Sequence, residues 1–220
     1  MSETRTGEAG QSLPHRFPIF PLRGAIMLPG GNLPLNIFEP RYLAMVRDAM
    51  KTDRMIGMVQ PRRENDPSDR PEIYPTGCVG RISNFSETDD GRYLITLTGL
   101  CRFDISEELT VTTPYRQVIA DYDRWLGDLA PPDPPASLKH QLFATLRGYF
   151  AQHDIRAEWD HLESAPLIAL VTSLAMICPF EPNEKQALLE ARDVERQTKI
   201  LIALMQMDAA KGGDVPPARH

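Results

Sequence analysis

Residues 17–42 read FPIFPLRGAIMLPGGNLPLNIFEPRY, and they carry the most specific pattern of the chain. The first six of these residues are apolar and predict a strand. Pro29-Gly30-Gly31 predicts a turn, because proline presets φ and glycine tolerates positive φ. Apolar residues alternate between positions 33 and 38, which predicts a second strand with one buried face. Glu39-Pro40 then begins a helix, since the missing N–H of proline costs nothing at the first helical position.

Three pieces of this stretch occur in a specific order. They are F-P-x-F-P-L at residues 17–22, L-P-G at residues 28–30 and L-P-L-x-I-F-E-P-R-Y at residues 33–42. Together they resemble the opening of the Lon protease N-terminal domain, which is also called the Lon substrate-binding domain. The alternative is a generic proline-rich loop between strands, and the agreement in order and spacing disfavours it.

The resemblance extends through most of the chain. A predicted hairpin at Asp90–Leu94 leads to Gly99–Phe103, and E-K-Q-x-L-L-E occupies residues 184–190, as in this family. The match therefore runs from about residue 17 to about residue 207. It implies an α+β fold, in which a PUA-like β pseudo-barrel with one short helix precedes an α-helical bundle. It also implies recognition of unfolded or damaged polypeptides.

Composition predicts how the chain is divided. Further strands are predicted at residues 55–60, 78–85, 93–98, 102–105 and 115–122. GDLAPPDPP at residues 127–135 has the proline and glycine content of a linker, and amphipathic helical patterns follow it. Three helices are expected there, capped by Ser137, Ser164 and Asn183; the second should be buried on all sides, and Glu195 and Lys199 should pair on the third. The predicted segments are a disordered leader (1–12), the barrel subdomain (13–125), a linker (126–135), the helical bundle (136–210) and a polar tail (211–220).

Charge and cysteine content narrow the functional classes. The 220-residue chain has a net charge of −6, which disfavours general binding to nucleic acid or to anionic membranes. Its three cysteines are widely spaced and form no C-x-x-C pair, so neither a zinc site nor any other metal site is expected. Residues 1–12 lack the apolar core of a signal peptide, and the longest apolar run is too short to span a bilayer. A cytoplasmic protein is expected.

Catalytic motifs of full-length Lon proteases are missing from the sequence. There is no G-x-x-x-x-G-K-[ST] phosphate loop and no segment that resembles the serine region of the Lon peptidase. The expectation is a non-catalytic recognition module without a cofactor or a catalytic residue. Two alternatives stay open, a peptidase or hydrolase acting alone and an RNA-binding PUA-like protein. His153-Asp154 and Asp160-His161 flank Trp159, but a polar turn explains them better than a metal or acid–base site.

Two segments are candidate binding sites for unfolded or client polypeptides. Ile26-Met27-Leu28 precedes a flexible turn, and methionine suits adaptable surfaces; the alternative is a core strand. Arg62-Arg63 lies in a long polar loop that could hold acidic or extended peptides, and the alternative is a solvated loop. Lon protease itself is another candidate partner. Glu39 and Arg41 are expected to form a structural ion pair.

Overall fold

The structure, a computed structural model, describes residues 13–63 and 70–212. It divides the chain into two compact units, with the boundary between residues 131 and 132. Strands occur in the first unit and helices make up the second, so the predicted α+β class is confirmed. The predicted leader and most of the predicted tail lie outside the described residues.

The described residues of the first unit form six strands, one α-helix and one 3-10 helix. They are β1 (Arg16–Pro21), β2 (Asn32–Ile37), α1 (Pro40–Ala49), β3 (Met55–Val59), β4 (Thr76–Glu87), β5 (Tyr93–Glu108), β6 (Gln117–Asp121) and the 3-10 helix (Asp123–Leu129). Each of the predicted strands is present, but the two strands predicted within residues 93–105 are one continuous strand, β5.

Five of the strands close into a ring. The hydrogen-bonded order is β2-β5-β4-β3-β1-β6, and β6 also pairs with β5. β5 is long enough to pair with β4 along one side and with both β2 and β6 along the other. The ring therefore runs β5-β4-β3-β1-β6, and β2 lies outside it as an extra strand on β5.

Apolar side chains fill the inside of this ring. Phe17 from β1 and Phe103 from β5 meet edge to face, with ring centroids 4.9 Å apart. The buried cluster around them is formed by Leu13, Ile19, Met55, Val59, Val79, Cys101, Val118, Ala120, Tyr122 and Trp125. Closing the sheet in this way buries one face of every ring strand and leaves no open edge within the ring.

The segment Ile26-Met27-Leu28 is buried, with each side chain only 1% exposed. The sequence-based hypothesis required these side chains to form an exposed apolar edge. The structure instead buries them in the core, as the alternative expected, although the segment is not a strand. Two glycines explain the close packing. A Cβ atom on Gly80 would lie 2.5 Å from Met27 Cε, and a Cβ atom on Gly99 would lie 2.1 Å from the Leu28 carbonyl oxygen. The segment therefore packs directly on bare strand backbone.

The 3-10 helix differs from the prediction for this region. Residues 126–129, which composition assigned to the linker, are its second half. Trp125 on this helix is buried in the core cluster, and Asp128 bonds to Arg102 of β5. Only residues 130–135 follow before the next helix begins.

Five helices make up the second unit as far as residue 212. They are α2 (Ala136–Gln152), α3 (Trp159–Ser164), α4 (Leu167–Ile177), α5 (Pro182–Leu189) and α6 (Val194–Gly212). α4 was predicted to be buried all round, but Ile177 at its end is 79% exposed. The single last helix predicted after Asn183 is two helices, α5 and α6. The pair Glu195–Lys199 on α6 forms as predicted, with 2.6 Å between Nζ and Oε1.

Candidate functional site

A groove of about 690 Å³ opens on the first unit beside the start of α1. One wall is the turn from Glu39 to Tyr42, at the end of the segment 17–42. Pro21 and the fully buried Ile19 of β1 lie at the base. Val111 and residues 113–116, between β5 and β6, form the facing wall. Arg70 and Pro71 close one end. The lining thus combines proline, aliphatic and tyrosine side chains with arginine.

Local bonding fixes the turn that forms the first wall. Pro40 is the first helical residue of α1, and the Glu39 carbonyl accepts hydrogen bonds from the amides of Tyr42 and Leu43. Arg41 Nε donates to Glu39 Oε2 at 2.9 Å, so the predicted ion pair forms. The Arg41 guanidinium also lies over the Tyr42 ring, 4.6 Å from its centroid. Burial raises the pKa of Tyr42. The turn is therefore a rigid surface with an arginine at its rim.

Tyr115 anchors the facing wall to α1. Its hydroxyl donates to Asp48 Oδ2 at 2.9 Å. Burial, together with this carboxylate, raises the pKa of Tyr115 to about 12, so the hydroxyl keeps its proton at neutral pH. The same hydrogen bond, followed by one from Lys51, lowers the pKa of Asp48. This contact sets the distance between the two walls.

Arg116 closes the end of the groove. Its Nε and Nη2 atoms bind the two carboxylate oxygens of Glu108 at 2.9 and 2.6 Å, and Nη1 donates to the Pro71 carbonyl at 2.7 Å. Arg70 contacts the same carboxylate at 3.0 Å. A second depression of about 620 Å³ shares Arg70, Pro71 and Arg116 with the groove. The two depressions are therefore neighbours on the surface of the first unit, separated by the Arg116 contacts.

Glu108 is expected to make this end of the groove sensitive to acid. The hydrogen bond from Arg116 is the main cause that lowers the pKa of Glu108 below its ordinary value of 4.5. A lowered pKa in the folded state means that the stabilisation is present above the unfolded pKa and is lost as pH falls through the folded pKa. Glu108→Gln should therefore lower the free energy of unfolding at about pH 7, and its difference from the parent should shrink towards about pH 3. Urea titrations across this pH range measure this difference.

Glu107→Gln is the matched control for that measurement. Glu107 is the neighbouring exposed carboxylate, and it forms no ion pair with the rest of the described chain. Its removal should change stability little at any pH. Two results would contradict the proposed role of the Arg116 contact. One is a loss of unfolding free energy for Glu108→Gln that does not change with pH, and the other is an equal loss for both variants.

Arg62 and Arg63 lie outside the groove. Arg62 Nε donates to the Ile73 carbonyl at 3.2 Å, and the guanidinium lies 5.4 Å from the centroid of the Tyr74 ring. Arg63 approaches Glu72 only loosely, at 3.9 Å, and is largely exposed. Residues 64–69 of the same loop lie outside the described part of the chain. Ile26-Met27-Leu28 does not line the groove either, so the structure brings neither candidate segment to it.

Sequence analysis missed the residues of the facing wall. Tyr115 and Arg116 were assigned to a strand, whereas the strand begins at Gln117. The partner of Tyr115 is Asp48, 67 residues earlier in the sequence. The partner of Arg116 is Glu108 on β5. No local pattern indicates either pair. The sequence predicted the Glu39-Pro40-Arg41-Tyr42 segment as a helix start with a structural ion pair, not as part of a binding site.

Nucleophilic chemistry finds little support among the described residues. Burial raises the pKa of Cys101 to about 12 and that of Cys178 to about 11, and it raises the pKa of Cys78 well above its ordinary value. These thiols stay protonated, and thiolates are the reactive form. No group of three or more His, Cys, Asp or Glu side chains in the described ranges is arranged to hold a metal ion. His153 pairs with Asp208 at 2.6 Å and His161 pairs with Glu158 at 2.5 Å, so each has its own carboxylate.

None of the described helices has the length and apolarity needed to cross a membrane.

Comparison with known structures supports the fold. The Lon N-terminal domain protein from Xanthomonas campestris aligns with a TM-score of 0.63 and 22% identity, covering 86% of this chain and 97% of that one. The N-terminal domain of the Mycobacterium avium complex Lon protease aligns with the same TM-score and 17% identity, covering 87% and 98%.

Comparison with curated sequences gives the same family. Lon protease 2 of Myxococcus xanthus is 34% identical over 113 residues, which are 50% of this chain and 13% of that protein. Lon protease of Cytophaga hutchinsonii is 26% identical over 209 residues, which are 90% of this chain and 25% of that protein. The chain thus spans a quarter or less of the length of these relatives. The family model for the substrate-binding domain of ATP-dependent protease La (LON) matches residues 16–207. The chain therefore belongs to the LON substrate-binding domain family.

Proposed function

We propose that the chain recognises polypeptides without cleaving them and holds an extended client segment in the groove beside α1. The observation that carries this proposal is the groove itself, a preformed cleft lined by prolines and Val111 together with polar side chains and arginines. Its volume lies within the roughly 300–1,000 Å³ typical of binding clefts. Membership of a substrate-binding domain family supports the same function.

The lining favours a polypeptide client of a particular kind. Pro21, Pro40 and Pro114 offer rigid apolar surface, and the buried Tyr42 and Tyr115 support it from beneath. Burying apolar surface yields roughly 25 cal/mol per Å², from which the cost of ordering the client is subtracted. Binding of this kind has a modest affinity and depends little on the amino-acid sequence of the client. We therefore propose unfolded or damaged polypeptides as clients, with a Lon protease as a second candidate partner.

An enzyme and an RNA-binding protein are the rival functions. The protonated buried thiols give no support to the first. The second needs a positive surface, whereas Glu39 and Glu108 offset arginines of the groove and the chain carries 30 acidic against 24 basic side chains. We propose a cytoplasmic recognition module that acts on neither ATP nor nucleic acid and needs no cofactor.

Val111→Asp is the direct test of the groove. Val111 lines the groove and is half-buried, so a carboxylate there should weaken binding of apolar client segments by about fivefold or more. Thr112→Asp adds the same charge to the same loop on an exposed residue that does not line the groove. Fluorescence anisotropy with labelled casein, a polypeptide without a stable fold, measures both affinities.

Two results would contradict the proposal. One is equal affinity of Val111→Asp, Thr112→Asp and the parent for casein. The other is cleavage of casein that scales with protein concentration after rigorous purification, with or without ATP. Melting temperatures of the two variants should match within a few degrees, because both side chains lie on a surface loop.

A further inference from the structure

The free edge of β2 is a second surface of the first unit that the groove does not include. β2 pairs with β5 over Asn32–Ile37, and it pairs with no other strand in the described ranges. It is also the strand that lies outside the closed ring. The side of β2 away from β5 is thus an unpaired strand edge.

The register shows which backbone groups face outward. Gly99 donates its N–H to the Gly31 carbonyl at 2.8 Å, so Gly31 faces β5. Alternate residues of an antiparallel pair turn their N–H and C=O groups towards the partner strand. Positions 33, 35 and 37 therefore face β5, and Asn32, Pro34 and Asn36 face outward. This edge offers three carbonyls but only two N–H groups, because proline has none.

The side chains around this edge are suited to an uncharged partner. Leu33 and Leu35 are half-buried on one face of β2, at the two-residue spacing of a strand. No charged side chain occurs between Pro29 and Phe38. Charged side chains and prolines commonly hinder pairing at strand edges. Within β2 only Pro34 has this effect. The edge is weakened for pairing but not blocked.

We propose that the outer edge of β2 binds an extended, uncharged segment of a client polypeptide as an added strand. Main-chain hydrogen bonds would provide affinity and the half-buried leucines a preference for alternating apolar residues. This inference rests on the proposed recognition of polypeptides and adds a second site and the bound conformation of the client.

A client strand fits this edge better than a second copy of the chain. In a two-fold antiparallel pair of β2 strands centred on the edge, Pro34 would face Pro34 of the other copy, and neither carbonyl would receive an N–H. A client residue opposite Pro34 supplies that donor. Six residues span about 20 Å, and the strip they cover is far below the roughly 1,000 Å² of a stable interface. The edge thus suits transient binding.

Asn36→Pro and Asn36→Ala form the test pair. Proline removes the outward N–H of residue 36 without breaking the β2–β5 ladder, because that N–H faces away from β5. Alanine removes the side chain and keeps the N–H. The probe is a labelled octapeptide of alternating valine and threonine. Asn36→Pro should weaken its binding by about tenfold or more, and Asn36→Ala should leave it within about twofold of the parent.

N-methylated peptides test the edge without changing the protein. One octapeptide carries N-methyl groups on its odd residues and the other on its even residues. An added strand uses the N–H groups of only one set, so one peptide should lose binding and the other should keep it. Equal binding of both peptides, or no binding of the unmodified octapeptide, overturns the inference. This arm holds even if Asn36→Pro fails to fold.

Two further measurements separate the outcomes. If labelled casein binds the parent and Asn36→Pro equally, the strand-addition site is wrong while polypeptide recognition stands; if casein binds neither the parent nor any variant, the proposed function itself fails. Analytical ultracentrifugation should show the same oligomeric state for the parent and for Asn36→Pro. If the parent is a dimer and the variant is not, the edge binds a second copy of the chain, and the inference that it binds a client strand is overturned.

Discussion

Asp128→Ala is expected to lower the free energy of unfolding of the first unit by about 3–5 kcal/mol. The Asp128 carboxylate binds Arg102 through Nη2 at 2.6 Å and Nε at 2.9 Å, and it also accepts the Arg102 amide at 2.9 Å. The two side chains are only 7% and 8% exposed. Without Asp128 the guanidinium would stay buried without its carboxylate, and the cost of that desolvation is the reason for the large loss.

Neighbouring contacts make the arginine difficult to relocate. Arg102 lies over the Trp125 ring at 4.0 Å, and Arg124 lies over the same ring at 4.3 Å. Moving Arg102 towards solvent would break that stacking and loosen the 3-10 helix. Urea unfolding followed by tryptophan fluorescence measures the loss directly, since Trp125 is one of the two tryptophans.

Glu163→Ala is the matched control for Asp128→Ala. It breaks the Arg147–Glu163 pair, which has a similar length of 2.8 Å but side chains 56% and 53% exposed. Exposed pairs contribute about 0–1 kcal/mol, so the loss should be several times smaller. Similar losses for the two variants would show that burial of the Arg102–Asp128 pair does not determine its effect.

Local patterns predicted the strands well but their connections less well. The Asp90-Gly91 turn lies where the sequence placed it, and Gly91 has a φ of +79°. The break between strands predicted near Gly99 is absent, and β5 runs through it. A glycine within a strand can mark a close approach of another backbone segment as well as a turn. That approach is made by Leu28, more than 70 positions earlier in the sequence, and no local pattern shows it.

Helix starts were predicted from serine and asparagine caps, and the structure uses other residues. α2 follows Pro135 and α4 follows Pro166, while Ser164 is the last residue of α3. α5 follows Glu181, whose amide donates to Glu184 at 2.9 Å. A sequence offers several acceptable caps within a few residues, and tertiary packing selects among them.

The groove illustrates the same limit for function. The Glu39-Pro40-Arg41-Tyr42 turn was visible in the sequence because its bonds are local. The contacts of Tyr115 with Asp48 and of Arg116 with Glu108 join separate elements. A side chain with such a partner looks like any surface tyrosine or arginine until the fold is known. One wall of the site was therefore predictable and the other was not.

Met27→Asp is expected to have an effect as large as that of Asp128→Ala. Met27 is 1% exposed, and its Sδ and Cε atoms occupy the space that Gly80 leaves by lacking a side chain. A carboxylate there would be buried among apolar atoms with no partner, and an unpaired buried charge is among the most destabilising changes known. The loss should reach about 4 kcal/mol or more, or the first unit should fail to fold.

Leu94→Asp provides the comparison in the same unit. Leu94 is 45% exposed on β5, so its replacement should change the melting temperature by a few degrees at most. Circular dichroism melts of both variants measure the difference. An unchanged melt for Met27→Asp would mean that the segment at residues 26–28 can leave the core. That result would restore the exposed arrangement predicted from sequence, and casein binding by the variant would then test the segment as a client site.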